Sequence, residues 1–260
     1  MKLETRQEAI IDLLRALENV EVDDLAARFA VTTQTIRTDL RDLSASGLVH
    51  RTRGGARRIE SVTNRQYADR RRLNAPEKLT IGKRAAALVP DHCSVALNIG
   101  TTTEQVAGAL SGHKGLMVLS NNVNIIRQLI HAHAKELVLV GGTVRPSDGA
   151  VVGDEAVDFI SRYKVDYAII GASALDTDGA ILDFDAREVS VARAILRNSR
   201  KRILVCDSSK FELTAPVRIG DIGELDFFVT DAAPPKRFAE AAARGQTSIL
   251  TGEPGETGGS

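Results

Sequence analysis

The stretch 22–42, Val-Asp-Asp-Leu-Ala-Ala-Arg-Phe-Ala-Val-Thr-Thr-Gln-Thr-Ile-Arg-Thr-Asp-Leu-Arg-Asp, constrains this chain more than any other. Leu25, Ala26 and Phe29 place an apolar stripe on a first helix over 22–29, and Ile36, Leu40 and Leu43 recur at i, i+4 and i+7 on a second. Between them Ala30-Val31-Thr32 forms a turn with Val31 as its apolar plug, and the Thr33 hydroxyl is placed to cap the second helix by accepting an unpaired amide. With the apolar residues turned inward, Gln34, Thr35, Arg37, Thr38 and Arg41 face outward. In a helix-turn-helix the second helix enters the major groove, and its N-terminal side chains reach base edges. Gln can pair bidentately with adenine and Arg with guanine, each good pair giving roughly 1–3 kcal/mol of discrimination. Thr33, Gln34, Thr35, Arg37, Thr38 and Arg41 are therefore candidate DNA contacts, the alternative being a helical hairpin with a polar outer face.

The flanks favour the DNA reading. Arg6, Ile10, Leu13, Leu14 and Leu17 keep helical spacing over 5–17 and supply a third helix for a small core. After the second helix, 47–58 reads as a β-hairpin whose Gly54-Gly55 pair suits a tight turn. Arg51, Arg53, Arg57 and Arg58 on that hairpin would meet phosphates or a minor groove, which makes the whole a winged helix. The 34 Lys and Arg balance the 34 Asp and Glu, so attraction to DNA has to come from local clustering. Such a cluster lies between Arg51 and Arg72, where arginines outnumber Glu60 and Asp69.

From residue 77 onward the pattern alternates. Helices are expected over 78–89, 103–110, 123–133, 155–161 and 187–199, and short apolar strands over 94–99, 116–119, 136–140, 167–170, 203–206 and 227–229. This is an α/β arrangement, a mostly parallel sheet covered on both faces, with 145–149 as an inserted hairpin turn. Ligands of such sheets sit beyond the carboxyl ends of the strands. There stand Gly100-Thr101-Thr102-Thr103, Ser120-Asn121-Asn122, Gly141-Gly142, Gly171-Ala172-Ser173 and Asp207-Ser208-Ser209-Lys210. Glycine turns, hydroxyls and helix N-termini form phosphate sites, Lys210 can add positive charge, and Asp183, Asp185 and Glu188 can accept polyol hydroxyls. The candidate effector contacts are Gly100, Thr101, Thr102, Thr103, Asn121, Asn122, Gly141, Gly142, Asp183, Glu188 and Lys210. No cofactor or metal is expected, although Asp183 and Asp185 share a face if extended.

Thr33-Gln-Thr-Ile-Arg-Thr-Asp-Leu40, with Arg6 and 50–55, resembles the signature of the DeoR family of bacterial transcriptional regulators. The chain departs from it at Thr38, where members usually carry a basic residue. Over about 5–236 the resemblance implies an N-terminal winged helix-turn-helix followed by an effector domain similar in fold to ribose-5-phosphate isomerase. Gly171-Ala-Ser-Ala-Leu-Asp-Thr-Asp-Gly179, Leu182-Asp-Phe-Asp185, Arg187-Glu-Val189, Asp207-Ser-Ser-Lys-Phe211 and 230–235 look most like the glycerol-phosphate-responsive branch of the family. That implies a repressor released from double-stranded operator DNA by a small phosphorylated sugar or polyol, sn-glycerol 3-phosphate in particular. It also implies homo-oligomers, dimers or tetramers, on inverted half-sites. The alternatives are control of another sugar-phosphate pathway, or an aldose–ketose isomerase using Asp185 or Glu188 as base, which a DNA reader in the same chain argues against.

At 260 residues two domains of ordinary size fit. The expected boundaries are 1–58 for the DNA-binding domain, 59–76 for a polar linker, 77–251 for the effector domain and 252–260 for a Gly-rich disordered tail. The linker, with Arg70-Arg71-Arg72, reads as a solvated connector in preference to a phosphate-contacting hinge. Cys93 and Cys206, both in strand regions and without ligand spacing, read as buried reduced thiols of a cytoplasmic protein. No signal peptide is expected, and no apolar run approaches the roughly 20 residues a membrane helix needs.

Overall fold

The computed structural model describes residues 5–17, 19–45, 49–52, 54–58, 67–211 and 213–252. The chain divides into two compact units, Met1–Thr63 and Asn64–Ser260.

The first unit runs α1 (Thr5–Leu17), β1 (Asn19–Glu21), α2 (Val22–Phe29), α3 (Thr33–Ala45), β2 (Val49–Arg51) and β3 (Gly55–Arg58). Ile10 and Leu14 of α1 meet Leu25 of α2, Ile36, Leu40 and Leu43 of α3, and Val20, Val49 and Ala56 of the sheet in one buried cluster, with Val31 packed against its margin. One local reading needs correction. Thr33 is the first residue of α3 and not its cap. The cap is Thr32, whose Oγ1 accepts the Thr35 amide at 3.2 Å while its carbonyl accepts that of Ile36 at 3.2 Å. At the glycine pair, the Thr52 amide donates to the Gly55 carbonyl at 3.1 Å between β2 and β3. The sheet is three-stranded and antiparallel in the order β1-β3-β2, and β1 crosses so close to Gly55 that a Cβ there would lie 1.9 Å from the Val20 carbonyl oxygen. Gly55 is required for backbone approach. At the end of α2, Ala30 takes the left-handed conformation (φ 52°), and the amides of Ala30 and Val31 return to the carbonyls of Ala27 and Ala26 at 3.3 and 3.1 Å.

The second unit opens with two helices, α4 (Tyr67–Arg72) and α5 (Ala75–Ala86). There follow β4 (Ser94–Leu97), α6 (Thr101–Leu110), β5 (Met117–Ser120), α7 (Val123–Leu129) and β6 (Glu136–Leu139). A small hairpin, β7 (Val144–Arg145) and β8 (Ala150–Val151), leads into α8 (Asp154–Ile160) and β9 (Val165–Ile170). Then come β10 (Ala174–Leu175), β11 (Ala180–Asp183), α9 (Ala186–Arg197), β12 (Ser199–Val205), β13 (Val217–Asp221), β14 (Phe227–Val229), α10 (Lys236–Gly245) and β15 (Ser248–Leu250).

Seven strands form a parallel sheet in the order β15-β14-β12-β9-β4-β5-β6. Successive strand residues point to opposite faces, and the core divides accordingly. Ala96, Leu119, Ile170, Leu204 and Phe228 pack under α8, α9 and α10. Their neighbours Val95, Val118, Ile169, Ile203 and Val229 pack under α5, α6 and α7. The two-sided apolar character of the runs read from sequence follows from this double cover. The sheet β10-β11-β13, antiparallel and outside the expected series, carries Asp183 at the end of β11. The C-terminal half of the expected 59–76 connector is also structured: 67–72 is helix α4 and belongs to the second unit. Cys93 is half-buried just before β4, its thiol pushed up to about 11 by burial, while Cys206 is buried after β12. Among the described residues no helix is long and apolar enough to cross a membrane.

Candidate functional site

The exposed face of α3 carries the first candidate site. Ile36, Leu40 and Leu43 are buried, and Gln34, Arg37 and Arg41 are exposed, with Thr33, Thr35 and Thr38 half-buried between them. Arg41 is only loosely paired with its exposed neighbour Asp42, at 3.6 Å. Asp39 turns the other way. Its carboxylate, 6% exposed, takes a bidentate pair from Arg6 of α1, Nε at 2.6 Å and Nη2 at 3.0 Å. That fork fixes the rotation of α3 against α1, and so which residues face outward. Arg6→Met strands the Asp39 charge in the core. We expect it to destabilise the first unit by about 2–3 kcal/mol, less than for a fully buried pair because Arg6 is partly solvated. Calorimetry of the whole chain would register a lowered first transition, and an unchanged one would show the pair to be dispensable. On the wing, Arg51 is exposed, whereas Arg53 and the side chains of Arg57 and Arg58 lie outside the described residues.

The second site follows from topology. From β4 the chain winds outward to β5 and β6, then returns to β9 on the other side of β4, so the sheet reverses direction between β4 and β9. A crevice opens at the carboxyl ends of such a pair. Here the segments that follow those strand ends are 98–103 after β4 and Gly171-Ala172-Ser173 after β9. α6 starts at Thr101, two residues earlier than the sequence suggests, which makes Thr101, Thr102 and Thr103 its first turn. Their amides have no carbonyl to bond within the helix and are the donors that bind phosphates at helix N-termini. Gly100 reaches them at φ 146°, a conformation only glycine adopts freely. The Thr103 hydroxyl is committed, donating to the Gly100 carbonyl at 2.8 Å.

Charged side chains from separate segments meet beside this crevice. Arg145 of the small hairpin grips Asp148 through Nε at 2.9 Å and Nη2 at 2.6 Å, Glu188 at 2.5 Å and Asp185 at 3.4 Å. Burial pushes the Glu188 carboxyl above its usual range and Asp183 adds to the shift, with Arg145 opposing. Asp183 is likewise pushed up by burial, against bonds from the Phe184 amide at 2.7 Å and the Ser173 hydroxyl at 2.9 Å and the fields of Arg70 and Lys210. Asp185 goes the other way, held low mainly by Arg187, whose amide it caps at 2.9 Å. Asp207, raised by burial alone, is brought below the usual carboxylate range by Ser209, Lys210, Asn74 and Lys78.

The expected residues divide into groups. Gly100, Thr101, Thr102 and Thr103 sit at the reversal point, and Asp183 interacts electrostatically with both Glu188 and Lys210. Asn121 is fully buried, its amide donating to the Val151 carbonyl at 3.0 Å and its Oδ1 without a partner. Asn122 serves as the cap of α7, accepting the Asn124 amide at 2.7 Å. Gly141 and Gly142 lie exposed beyond the edge strand β6, two strands from β4. Sequence reading missed Asn98 and Lys78, and it set Arg70 in a solvated connector in preference to a phosphate-contacting hinge. Asn98 is buried at the end of β4 with an unpartnered Oδ1. Lys78, 4% exposed, donates to the carbonyls of Arg70 at 2.6 Å and Leu73 at 2.7 Å. No local pattern marks any of the three. Among the described residues no group of His, Cys, Asp and Glu is arranged to hold a metal ion.

Comparison with known proteins adds the following. Residues 6–62 match the DeoR-like helix-turn-helix domain, and residues 73–232 match the DeoR C-terminal sensor domain. The glycerol-3-phosphate regulon repressor of Escherichia coli (strain K12) is 39% identical over 235 residues, covering 90% of this chain and 93% of that protein. Its namesake in Haemophilus influenzae is 38% identical over 234 residues, covering 90% and 91%. The HTH-type transcriptional repressor CsqR of E. coli is 32% identical over 245 residues, covering 94% of each. A solved ribose 5-phosphate isomerase from Methanocaldococcus jannaschii aligns with 53% of this chain and 55% of its own at a TM-score of 0.39 and 17% identity.

Proposed function

The chain belongs to the DeoR family of transcriptional regulators, and from that premise we propose that it is a repressor released from operator DNA by sn-glycerol 3-phosphate. The observation that carries this is the pairing, in one chain, of an outward Gln34–Arg37–Arg41 face with a second unit whose sheet reverses at Gly100–Thr103. The first is chemistry for base edges, the second for a phosphate. In this reading the amides of Thr101–Thr103 take the phosphate with Lys210 as counter-charge, and Asp183, Glu188 and the free oxygens of Asn98 and Asn121 take the hydroxyls. The relatives named for the glycerol-3-phosphate regulon support that choice of polyol. Homo-oligomers would place two recognition helices on inverted half-sites about 10 bp apart, or a multiple of that.

Turnover of substrate is not part of this proposal. Asp185 and Glu188, the carboxylates a proton transfer would need, are both ion-paired with Arg145. Conversion of ribose 5-phosphate by the pure protein would reverse that view.

The test is fluorescence anisotropy on the DNA upstream of the chain's own gene cluster, at fixed salt, with a panel of sugar and polyol phosphates. Release by glycerol 3-phosphate alone is the expected result. Release only by another phosphate would overturn the effector, and failure to bind any site there tighter than bulk DNA would overturn the repressor. Within that assay, Arg37→Ala is expected to relax preference at one base pair, worth about 1–3 kcal/mol, while Arg51→Ala weakens all sequences alike and flattens the salt dependence. Equal weakening on every sequence by Arg37→Ala would remove it from the base-reading set.

A further inference from the structure

The sequence reads 70–72 as part of a solvated connector, yet α4 is fastened to the second unit at both ends. At its C-terminal end the carbonyls of Arg70 and Leu73, left over by helix geometry, accept bonds from the buried ammonium of Lys78 at 2.6 and 2.7 Å. These are charge-assisted bonds to a side chain that is itself locked. At its N-terminal end the Tyr67 hydroxyl donates to Glu104 Oε1 at 2.5 Å and accepts from Asn124 Nδ2 at 2.9 Å. Glu104 and Asn124 stand in the first turns of α6 and α7, so α4 runs along the carboxyl-end rim of the sheet that bounds the crevice. Arg70, whose carbonyl is one of the two anchored by Lys78, carries a side chain that is less firmly held. Its guanidinium comes no closer than 3.8 Å to Asp148, its Nε is buried without a partner, and its field reaches Asp183 and Lys78.

We propose that α4 is the strap that couples the effector site to operator affinity, with Lys78 as its fixed anchor, Tyr67 as its latch and Arg70 as the side chain that answers the ligand's phosphate. This rests on the effector reading given above. A ligand can move an equilibrium only by binding its two states differently, and Arg70 supplies the difference. Asp148 already holds a bidentate pair from Arg145, so it loses little when Arg70 leaves. The unpartnered Nε gains a full acceptor when a phosphate arrives. The docked strap is then the operator-binding state. Drawing Arg70 toward the phosphate strains the Tyr67 latch while the Lys78 anchor holds, so the end of α4 nearer the DNA-binding unit in the chain is the end that moves.

The experiment compares full-length wild type, Tyr67→Phe and Arg70→Gln for operator affinity by anisotropy, with and without glycerol 3-phosphate. Hydrogen exchange of the 67–72 amides is followed in parallel. Tyr67→Phe is expected to weaken operator binding about tenfold with no ligand present, because it removes both hydrogen bonds of the latch, the one donated to Glu104 and the one accepted from Asn124. Exchange in 67–72 should rise by a similar factor. Arg70→Gln should keep wild-type operator affinity yet lose most of its release by glycerol 3-phosphate. In wild type the ligand should speed exchange in 67–72 while exchange in β4 and β9 stays slow. If wild type is released but both variants bind and release as it does, the strap is wrong and the effector stands. If wild type ignores glycerol 3-phosphate while Tyr67→Phe still binds operator weakly, the effector is wrong and the strap stands. Unchanged exchange in 67–72 on release also overturns the strap, and it needs no variant to fold.

Discussion

Alanine at position 55 will cost the chain its operator binding while leaving its second unit folded. The added Cβ would lie 1.9 Å from the Val20 carbonyl oxygen and 2.9 Å from Glu21 Cα. Both obstacles are backbone, so no rotamer change relieves them, and β1 has to part from β3. That separation breaks the register Val20↔Ala56 and opens the cluster in which Val20, Val49 and Ala56 pack against α1 and α3. Overpacking alone costs typically 1–3 kcal/mol, and loss of the strand pair brings the total to about 3 kcal/mol or more. A unit of this size has roughly 3–5 kcal/mol of stability in hand, so the substitution removes most or all of that margin. The second unit is a separate compact unit with buried clusters of its own. Calorimetry should therefore show the first transition lost and the second unmoved, with anisotropy reporting no operator complex. Wild-type affinity in Gly55→Ala would mean that β1 is dispensable to the reader.

Glutamate at position 102 should produce the opposite phenotype, a repressor that holds DNA and cannot be induced. Thr102 is the second residue of α6 and 8% exposed, so a carboxylate there sits among the unpaired amides at the mouth of the crevice. It satisfies those donors itself and repels a dianion. A like charge a few ångströms away in a site of reduced dielectric costs several kcal/mol, enough to weaken glycerol 3-phosphate binding by about a hundredfold or more. The helix tolerates the change, because an acidic residue in a first turn complements the helix dipole. Calorimetric titration with glycerol 3-phosphate and operator anisotropy would be read together. Normal titration and release in Thr102→Glu would move the phosphate away from Gly100–Thr103.

Much of this fold is legible in sequence because its strands are covered on both sides. β4, β5, β9, β12 and β14 each appear as short apolar runs, and the apolar spacing of 22–43 gives the bounds of α2 and the start of α3 to within a residue. What escapes is structure that rests on long-range partners. β1 has three residues and one buried side chain, so it carries no period to detect. Thr32 and Thr33 are chemically equivalent caps, and which one serves depends on where the turn closes. Arg145 reads as the edge of a turn, but it becomes the hub of Asp148, Asp185 and Glu188 only when the small hairpin meets α9. Lys78 and Arg70 are an ordinary charged helix residue and one arginine of three in a row. Their burial is set by α4 folding back along the sheet rim, which no local spacing encodes. That Gly100–Thr103 leads from a strand into a helix is legible because a glycine followed by hydroxyls after an apolar run is a local signal.

The left-handed Ala30 between α2 and α3 limits how small a working reader can be made. An L-residue with a Cβ pays about 1–2 kcal/mol in that conformation, and α2 has only eight residues, too few to persist alone in water. The turn angle is therefore imposed from outside, by Val31 and the apolar faces closing on α1 and the wing. A synthetic peptide spanning 22–45 would be mostly coil, and stapling or fusing it would have to replace what Ile10, Leu14 and Ala56 supply. The smallest transplantable DNA reader from this chain includes α1 at one end and β3 at the other.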